Sequence, residues 1–198
     1  MTVRKKDAPG KTTTTEALLG MLSLGAMSGY EIRQRIELSI GNFWSESFGQ
    51  IYPALAKLRR QGLVDVEEAG RAGRKVYSLT PAGRERLATW LAVMPAARVP
   101  RNEMLLKLFF GSNGSLEDTR GQVMAERERF SADLLRYTRL EPEIRKRHAN
   151  KPALPFFLST LRYGMAEARA VMEWADETLR LLDEVAADER QKEVRDAS

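Results

Sequence analysis

Between Ser47 and Gly62 the chain reads SFGQIYPALAKLRRQG, and at 3.6 residues per turn its residue types separate cleanly. Ile51, Leu55, Leu58 and Gly62 fall in one narrow arc and must face a core. Gln50, Pro53, Ala56, Lys57 and Arg60 lie opposite with Gly49, and Tyr52 and Arg59 sit on a flank. The outer set carries a specific chemistry. Lys57 suits a contact that any duplex offers, and Gln50 one that bears on sequence preference. A merely solvated face would carry long charged residues from its first turn. Here the first two outer turns are small, rigid or neutral and the cations follow. That order suits a helix entering a groove about 12 Å wide with its N-terminal end leading.

Pro53 fits the same picture. An interior proline removes a hydrogen bond and clashes with the carbonyl four residues back, at about 3 kcal/mol. The bond lost here would go to the Gly49 carbonyl, in the first turn, where a glycine relieves the clash. The ring then keeps the leading end of the helix slim.

A second basic group follows in EAGRAGRK, where Arg71, Arg74 and Lys75 accompany a tip flexed by Gly70 and Gly73. Arginines on such a tip can reach a minor groove or its phosphates; the alternative is a solvated hairpin. Tyr30 and the basic residues Arg4, Lys5, Lys6 and Lys11 are candidates for further phosphate contacts.

The elements that position these residues follow from caps and periodicity. Residues 1–12 lack apolar periodicity and read as a flexible basic arm. Thr13 with Glu16 has capping-box spacing and opens a first helix to about Gly25. Ser28 with Glu31 repeats the spacing and opens a second, with Tyr30, Ile32, Ile36 and Ile40 as its apolar residues, that stops at Gly41-Asn42. Ser47 is the expected N-cap of the third helix and Gly62 its C-terminal glycine. The period then changes to two, and LVDVEEAGRAGRKVYSLT predicts a β-hairpin. Thr80-Pro81 supplies an N-cap and an N1 proline for a fourth helix to about Met94. Three helices, a hairpin and a helix make a winged helix-turn-helix over residues 13–94.

PAARVP reads as a boundary, and residues 95–198 are expected to be all helical. NEMLLKLFF predicts a short buried helix ended by Gly111. Ser115 caps a long helix to about Leu140, and EIRKRHANKP is expected to be a link. In the last helix Leu154, Leu158, Leu161, Met165, Ala168, Met172, Ala175, Leu179, Leu182 and Ala186 follow at steps of three and four. This is a coiled-coil seam, expected to pair subunits, with packing inside its own subunit as the alternative.

Composition bounds the rest. A 43% apolar content with 8 prolines argues against disorder. Residues 1–94 hold 14 Lys/Arg against 9 Asp/Glu, while residues 95–198 hold 18 of each, so the net charge of +5 resides in the first half. That asymmetry points to a polyanion there. ALLGMLSLGAM mimics the apolar core of a signal peptide, but a run of about 10–14 apolar residues fits a buried helix better, and a soluble cytoplasmic protein is expected. With no cysteine there is no thiolate metal site or nucleophile, and with the single His148, read as a solvated loop residue, the usual nucleophile–base pairs are nearly excluded. GSNGS at 111–115 lies between helices and is a linker. No enzyme, metal or cofactor is expected.

LLGMLSLGAMSGYEI, IYPALAKLRRQGLVDVE and RKVYSLTPAGRERL, together with the long C-terminal helices, resemble the PadR family of transcriptional regulators. The match covers about residues 14–94. The resemblance implies a homodimer held by the C-terminal helices, operator binding by the third helix and wing, and often a small-molecule effector. Tyr52 matches the family's recognition-helix tyrosine, which implies a DNA contact. Where many members carry an acidic residue in the third helix, this chain has Arg59-Arg60 and a more basic surface. Trp44, Trp90, Phe109, Phe110, Phe156, Phe157 and Trp174 could line an effector pocket or simply belong to the core. The alternative function, a winged helix that docks a partner protein without specific DNA binding, would call for an apolar outer face on the third helix.

Overall fold

The structure, a computed structural model, describes residues 9–41, 43–44, 47–69, 74–95 and 101–196. It divides into two compact units, Met1–Ala97 and Arg98–Ser198.

The first unit is built from α1 (Pro9–Ser23), β1 (Met27–Ser28), α2 (Gly29–Ser39), α3 (Phe48–Arg60), β2 (Val64–Ala69), β3 (Arg74–Leu79) and α4 (Pro81–Leu91). Its core gathers the apolar face of each element: Leu18, Leu19, Ile32, Ile36, Ile51, Leu55, Leu58 and Val64 are essentially inaccessible to solvent. The Ser28–Glu31 capping box forms as its spacing predicts, with the Glu31 amide donating to Ser28 Oγ and the Ser28 amide to Glu31 Oε2. Helix α3 runs through Pro53 without interruption. It ends where Gly62, at φ +68°, turns the chain: the Gly62 amide donates to the Arg59 carbonyl and the Leu63 amide to the Leu58 carbonyl, both at 3.0 Å. This paired closure satisfies the last carbonyls and delivers the chain into β2. Thr80 caps α4, accepting from the Gly83 amide while its hydroxyl donates to the Gly62 carbonyl.

Two features depart from the sequence reading. Helix α1 begins at Pro9, so Thr13 lies inside it and is no N-cap, and the stretch 9–12 is helical rather than part of an arm. Glu16, the expected capping partner, is instead buried and accepts from Arg86 Nε at 3.0 Å and Nη2 at 2.7 Å, with the Thr15 hydroxyl at 2.6 Å. The second departure is β1. Its two residues pair antiparallel with β3, Met27 opposite Tyr77 and Ser28 opposite Val76. The hairpin is therefore a three-stranded sheet of order β1-β3-β2, with Val64 opposite Leu79 at one end of the β2–β3 pair and Ala69 opposite Arg74 at the other.

The second unit holds α5 (Glu103–Phe109), a 3-10 turn (Gly111–Asn113), α6 (Leu116–Arg147) and α7 (Leu154–Asp196). Ser115 caps α6 as expected, accepting from the Asp118 amide. Helices α6 and α7 pack antiparallel. Ion pairs between Arg120 and Asp183, between Arg127 and Asp176 and between Arg162 and Glu141 mark the register. Tyr137, Leu161 and Met165 form the centre of their shared core, flanked by Leu134, Leu140 and Ile144.

Half of the seam expected to pair subunits is buried inside the chain. Leu158, Leu161, Met165, Ala168 and Ala175 are buried within the unit, and Leu154, Met172, Leu179, Leu182 and Ala186 are half-buried. Steps of three and four define an apolar stripe but not the chain that covers it. Helix α7 has 43 residues rather than about 33, and α6 continues past Leu140 through Pro142 to Arg147. His148 caps the end of α6, half-buried and edge-on to Phe157 with ring centroids 4.9 Å apart, so it is not a solvated loop residue. Helix α5 buries none of its residues; Leu105, Leu106 and Phe109 are exposed rather than in a core.

Candidate nucleic-acid interface

The two faces of α3 separate as its periodicity predicts. Ile51 and Leu55 are fully buried while Gln50, Tyr52, Pro53 and Arg60 are exposed and Lys57 is half-buried. Ser47 stands at the N-cap, with its amide and hydroxyl both donating to Gln50 Oε1 at 3.4 and 3.3 Å. The leading turn of α3 is therefore closed by a neutral Ser–Gln pair.

Tyr52 is oriented from α2. An added Cβ on Gly29 would lie 2.7 Å from Tyr52 Cε1 and 3.0 Å from Cζ, so the ring lies directly over the Gly29 backbone. Only a residue without a side chain permits that approach. The ring forms one wall of an open cleft whose other sides come from Tyr30 and Gln34 of α2 and from Arg74 and Lys75 of β3. Gln34 Nε2 donates to the Tyr30 hydroxyl at 3.1 Å.

Arg74 does not extend freely from the wing. Its Nη2 donates to Glu31 Oε2 at 2.6 Å, joining the first residue of β3 to the first turn of α2. The same oxygen accepts from the amide and hydroxyl of Ser28, each at 2.8 Å. These bonds, that from the Ser28 backbone foremost, hold the Glu31 carboxyl below its ordinary range, and it is charged at neutral pH.

Of the residues singled out in the sequence, Tyr30, Tyr52, Arg74 and Lys75 thus share one cleft, while Ser47, Gln50, Pro53, Lys57 and Arg60 follow α3 beyond it. Arg71, like Arg4, Lys5 and Lys6, lies outside the described residues. Gly29, Glu31 and Gln34 were not singled out as site residues. Glu31 was legible as a capping acid, but its pairing with Arg74 spans 43 positions and leaves no local signal. Among the described residues no cluster of His, Asp or Glu could hold a metal ion, and no helix is long and apolar enough to cross a membrane.

A buried-faced α2–α3 pair, a three-stranded wing and a polar outer face on α3 define a winged helix-turn-helix regulator. Comparison with known proteins makes this specific. The family model of the transcriptional regulator PadR-like family matches residues 18–89, and that of the virulence activator alpha C-terminal region matches residues 100–183. A Mycobacterium tuberculosis protein, named a probable transcriptional regulator, is 30% identical over 187 residues, covering 85% of this chain and 96% of its own. The negative transcriptional regulator PadR of Bacillus subtilis is 26% identical over 175 residues, covering 84% and 96%. The structure of B. subtilis PadR in complex with operator DNA matches with a TM-score of 0.71 at 26% identity, over 86% of this chain and 99% of that one. Its complex with p-coumaric acid matches with a TM-score of 0.67 at 27% identity, over 85% and 98%. The Vibrio cholerae virulence activator AphA matches with a TM-score of 0.70 at 30% identity, over 87% and 99%. The chain belongs to the PadR-like family of transcriptional regulators.

Proposed function

We propose that this regulator is a homodimeric repressor that binds an inverted-repeat operator through α3 and the wing. The observation that carries the reading is the outer face of α3, where exposed Gln50, Tyr52, Pro53 and Arg60 stand over a fully buried Ile51 and Leu55. Cations and hydrogen-bonding groups on that face favour DNA over an apolar protein partner. Similarity to a regulator that binds operator DNA supports the same assignment. Two α3 helices of a dimer would enter successive major grooves about 10–10.5 bp apart, or a multiple of that. Repression is favoured by the negative regulator among its relatives.

The dimer contact belongs to the C-terminal unit but not to the seam that α6 covers. Phe156, Tyr163, Leu181 and Val185 remain exposed on α7 and are available for a second subunit. Release by a small molecule is part of the proposal, since B. subtilis PadR forms a complex with p-coumaric acid. Phe109 and Phe110, edge-on at 5.1 Å and both exposed, are aromatic groups open to such a contact.

Fluorescence anisotropy with duplexes tiled across the DNA upstream of its own gene, at two salt concentrations and against a scrambled duplex, tests the reading. One tile should bind far more tightly than the scramble, with dimer stoichiometry. Tyr52→Ala should weaken binding to that tile and relax its sequence preference, whereas Lys57→Ala should weaken all duplexes alike. Normal operator binding by Tyr52→Ala would remove α3 from the interface.

A further inference from the structure

We infer that Glu31 is a specificity-determining residue: its carboxylate holds Arg74 away from the DNA backbone and so suppresses binding to non-operator sequence. The inference rests on the proposal that this face binds DNA.

A carboxylate on such a surface is costly, because it repels the phosphates that supply most non-specific affinity. The cap of α2 alone does not require that charge. Helix α3 closes its own first turn with a neutral glutamine, Gln50, accepting from the Ser47 amide. Glu31 therefore has a second task, and Arg74 identifies it. One oxygen of Glu31 collects three donors: the Ser28 amide, the Ser28 hydroxyl and Arg74 Nη2, at 2.8, 2.8 and 2.6 Å. Ser28 is itself fixed, because β1 pairs it with Val76 of β3. The carboxylate is thus held rigidly beside the loop end of β3, and Arg74 comes to it.

Arg74 has a choice of anions. Both partners are about half exposed, with 54% and 41% of their side chains accessible, so the pair is open to competition from an incoming phosphate. Random sequence, which docks loosely, leaves Arg74 on Glu31. An operator seated by α3 brings a phosphate close enough to take the guanidinium, and only then is that contact made. The contact thereby becomes conditional on correct docking, and unmatched DNA is penalised.

Glu31→Gln removes the charge and keeps an acceptor for the Ser28 amide, as Gln50 does for Ser47. Anisotropy titrations of the full chain would use a scrambled duplex and the tightest upstream tile, each over a salt series. Glu31→Gln should bind the scramble about three- to tenfold more tightly at low salt, with a salt slope steeper by about one. The ratio of tile to scramble affinity should fall. Arg74→Ala alone should weaken scramble binding slightly, since it leaves the Glu31 charge unpaired, and Glu31→Gln added to it should raise affinity and slope by much less than in the unmodified protein. An unchanged or weaker scramble affinity in Glu31→Gln would overturn the inference. So would an increase just as large in the Arg74→Ala background, which would reflect charge removal alone. If the unmodified protein binds no duplex at any salt, the DNA-binding reading itself fails and this inference falls with it.

Discussion

Gly29→Ala separates the stability of this protein from its binding. The new Cβ would stand 2.7 Å from Tyr52 Cε1, 3.0 Å from Cζ and 3.3 Å from the hydroxyl oxygen. Ordinary contact needs several tenths of an ångström more, so the ring must move. It has room to do so, because Tyr52 is 49% exposed and its outer edge faces solvent. Alanine in place of glycine in a helix gains up to about 1 kcal/mol, less at a first helical position. The gain and the cost of turning the ring nearly cancel, and stability should change by no more than about 1 kcal/mol. Binding has no such compensation. If Tyr52 touches the operator as proposed, displacing the phenol removes a contact comparable to one mismatched base pair, about 1–2 kcal/mol or roughly five- to thirtyfold in affinity. Thermal unfolding and anisotropy on the best upstream tile measure the two quantities in one preparation. A melting temperature within a few degrees of the parent, with weaker operator binding, is the expected pair. Full affinity would refute the idea that Gly29 sets the ring for DNA. A fall of more than about 6 °C, which corresponds to over 1 kcal/mol in a domain of this size, would show that the ring is locked in the core instead.

Arg86→Ala should destabilise the first unit by about 3 kcal/mol, because the Glu16 carboxylate, 1% exposed, keeps only the Thr15 hydroxyl as a side-chain donor among the described residues; an unchanged urea midpoint would contradict this. Gly83→Ala places a Cβ 2.1 Å from the Leu63 carbonyl oxygen, which also accepts from the Thr80 amide. Neither group is a flexible chain end, so overpacking should outweigh the helical gain and cost about 1–3 kcal/mol in denaturant titration. Acid should loosen the α6–α7 pair. The Glu141 carboxyl is held below its ordinary 4.5, first by Arg145 and then by Arg162, and that of Asp176 below 3.8 by Arg127. Folded values below unfolded ones mean that this stabilisation is complete above about pH 4.5 and is lost as the pH falls through the folded values. The melting temperature should be level from pH 7 to 6 and decline below about 4.5, less steeply in Asp176→Asn; a flat profile down to pH 3 would exclude these pairs as contributors.

What was legible in the sequence was local. Ser28 with Glu31, Gly62 after a helical run and Thr80-Pro81 each act within a few residues, and each sits where its spacing placed it. The alternation around Gly70 and Gly73 likewise announced β2 and β3. What escaped was settled by distant partners. Thr13 and Glu16 have capping spacing, yet Glu16 answers to Arg86, 70 positions away. Two residues cannot show a period, so β1 is visible only once β3 lies beside it. The link expected after Leu140 begins as helix, because α6 runs through Pro142 to Arg147. The apolar stripe of α7 is half-covered within the chain, with Leu158, Leu161, Met165, Ala168 and Ala175 buried, and a stripe of Leu, Met and Ala does not name the chain that covers it. At the candidate interface the residue types on α3 were readable, whereas the seat of Tyr52 on Gly29 and the capture of Arg74 by Glu31 required the fold.

The strand order β1-β3-β2 leaves two unpaired edges, and each is closed to a further strand in its own way. On the β2 side, exposed Asp65, Glu67 and Glu68 put three negative charges along six residues. A strand added there would be brought against them at close range. On the β1 side only Met27 and Ser28 are extended before α2 begins, too short a template to recruit a neighbour. Among the described residues the wing is a finished sheet, with no edge that invites another strand.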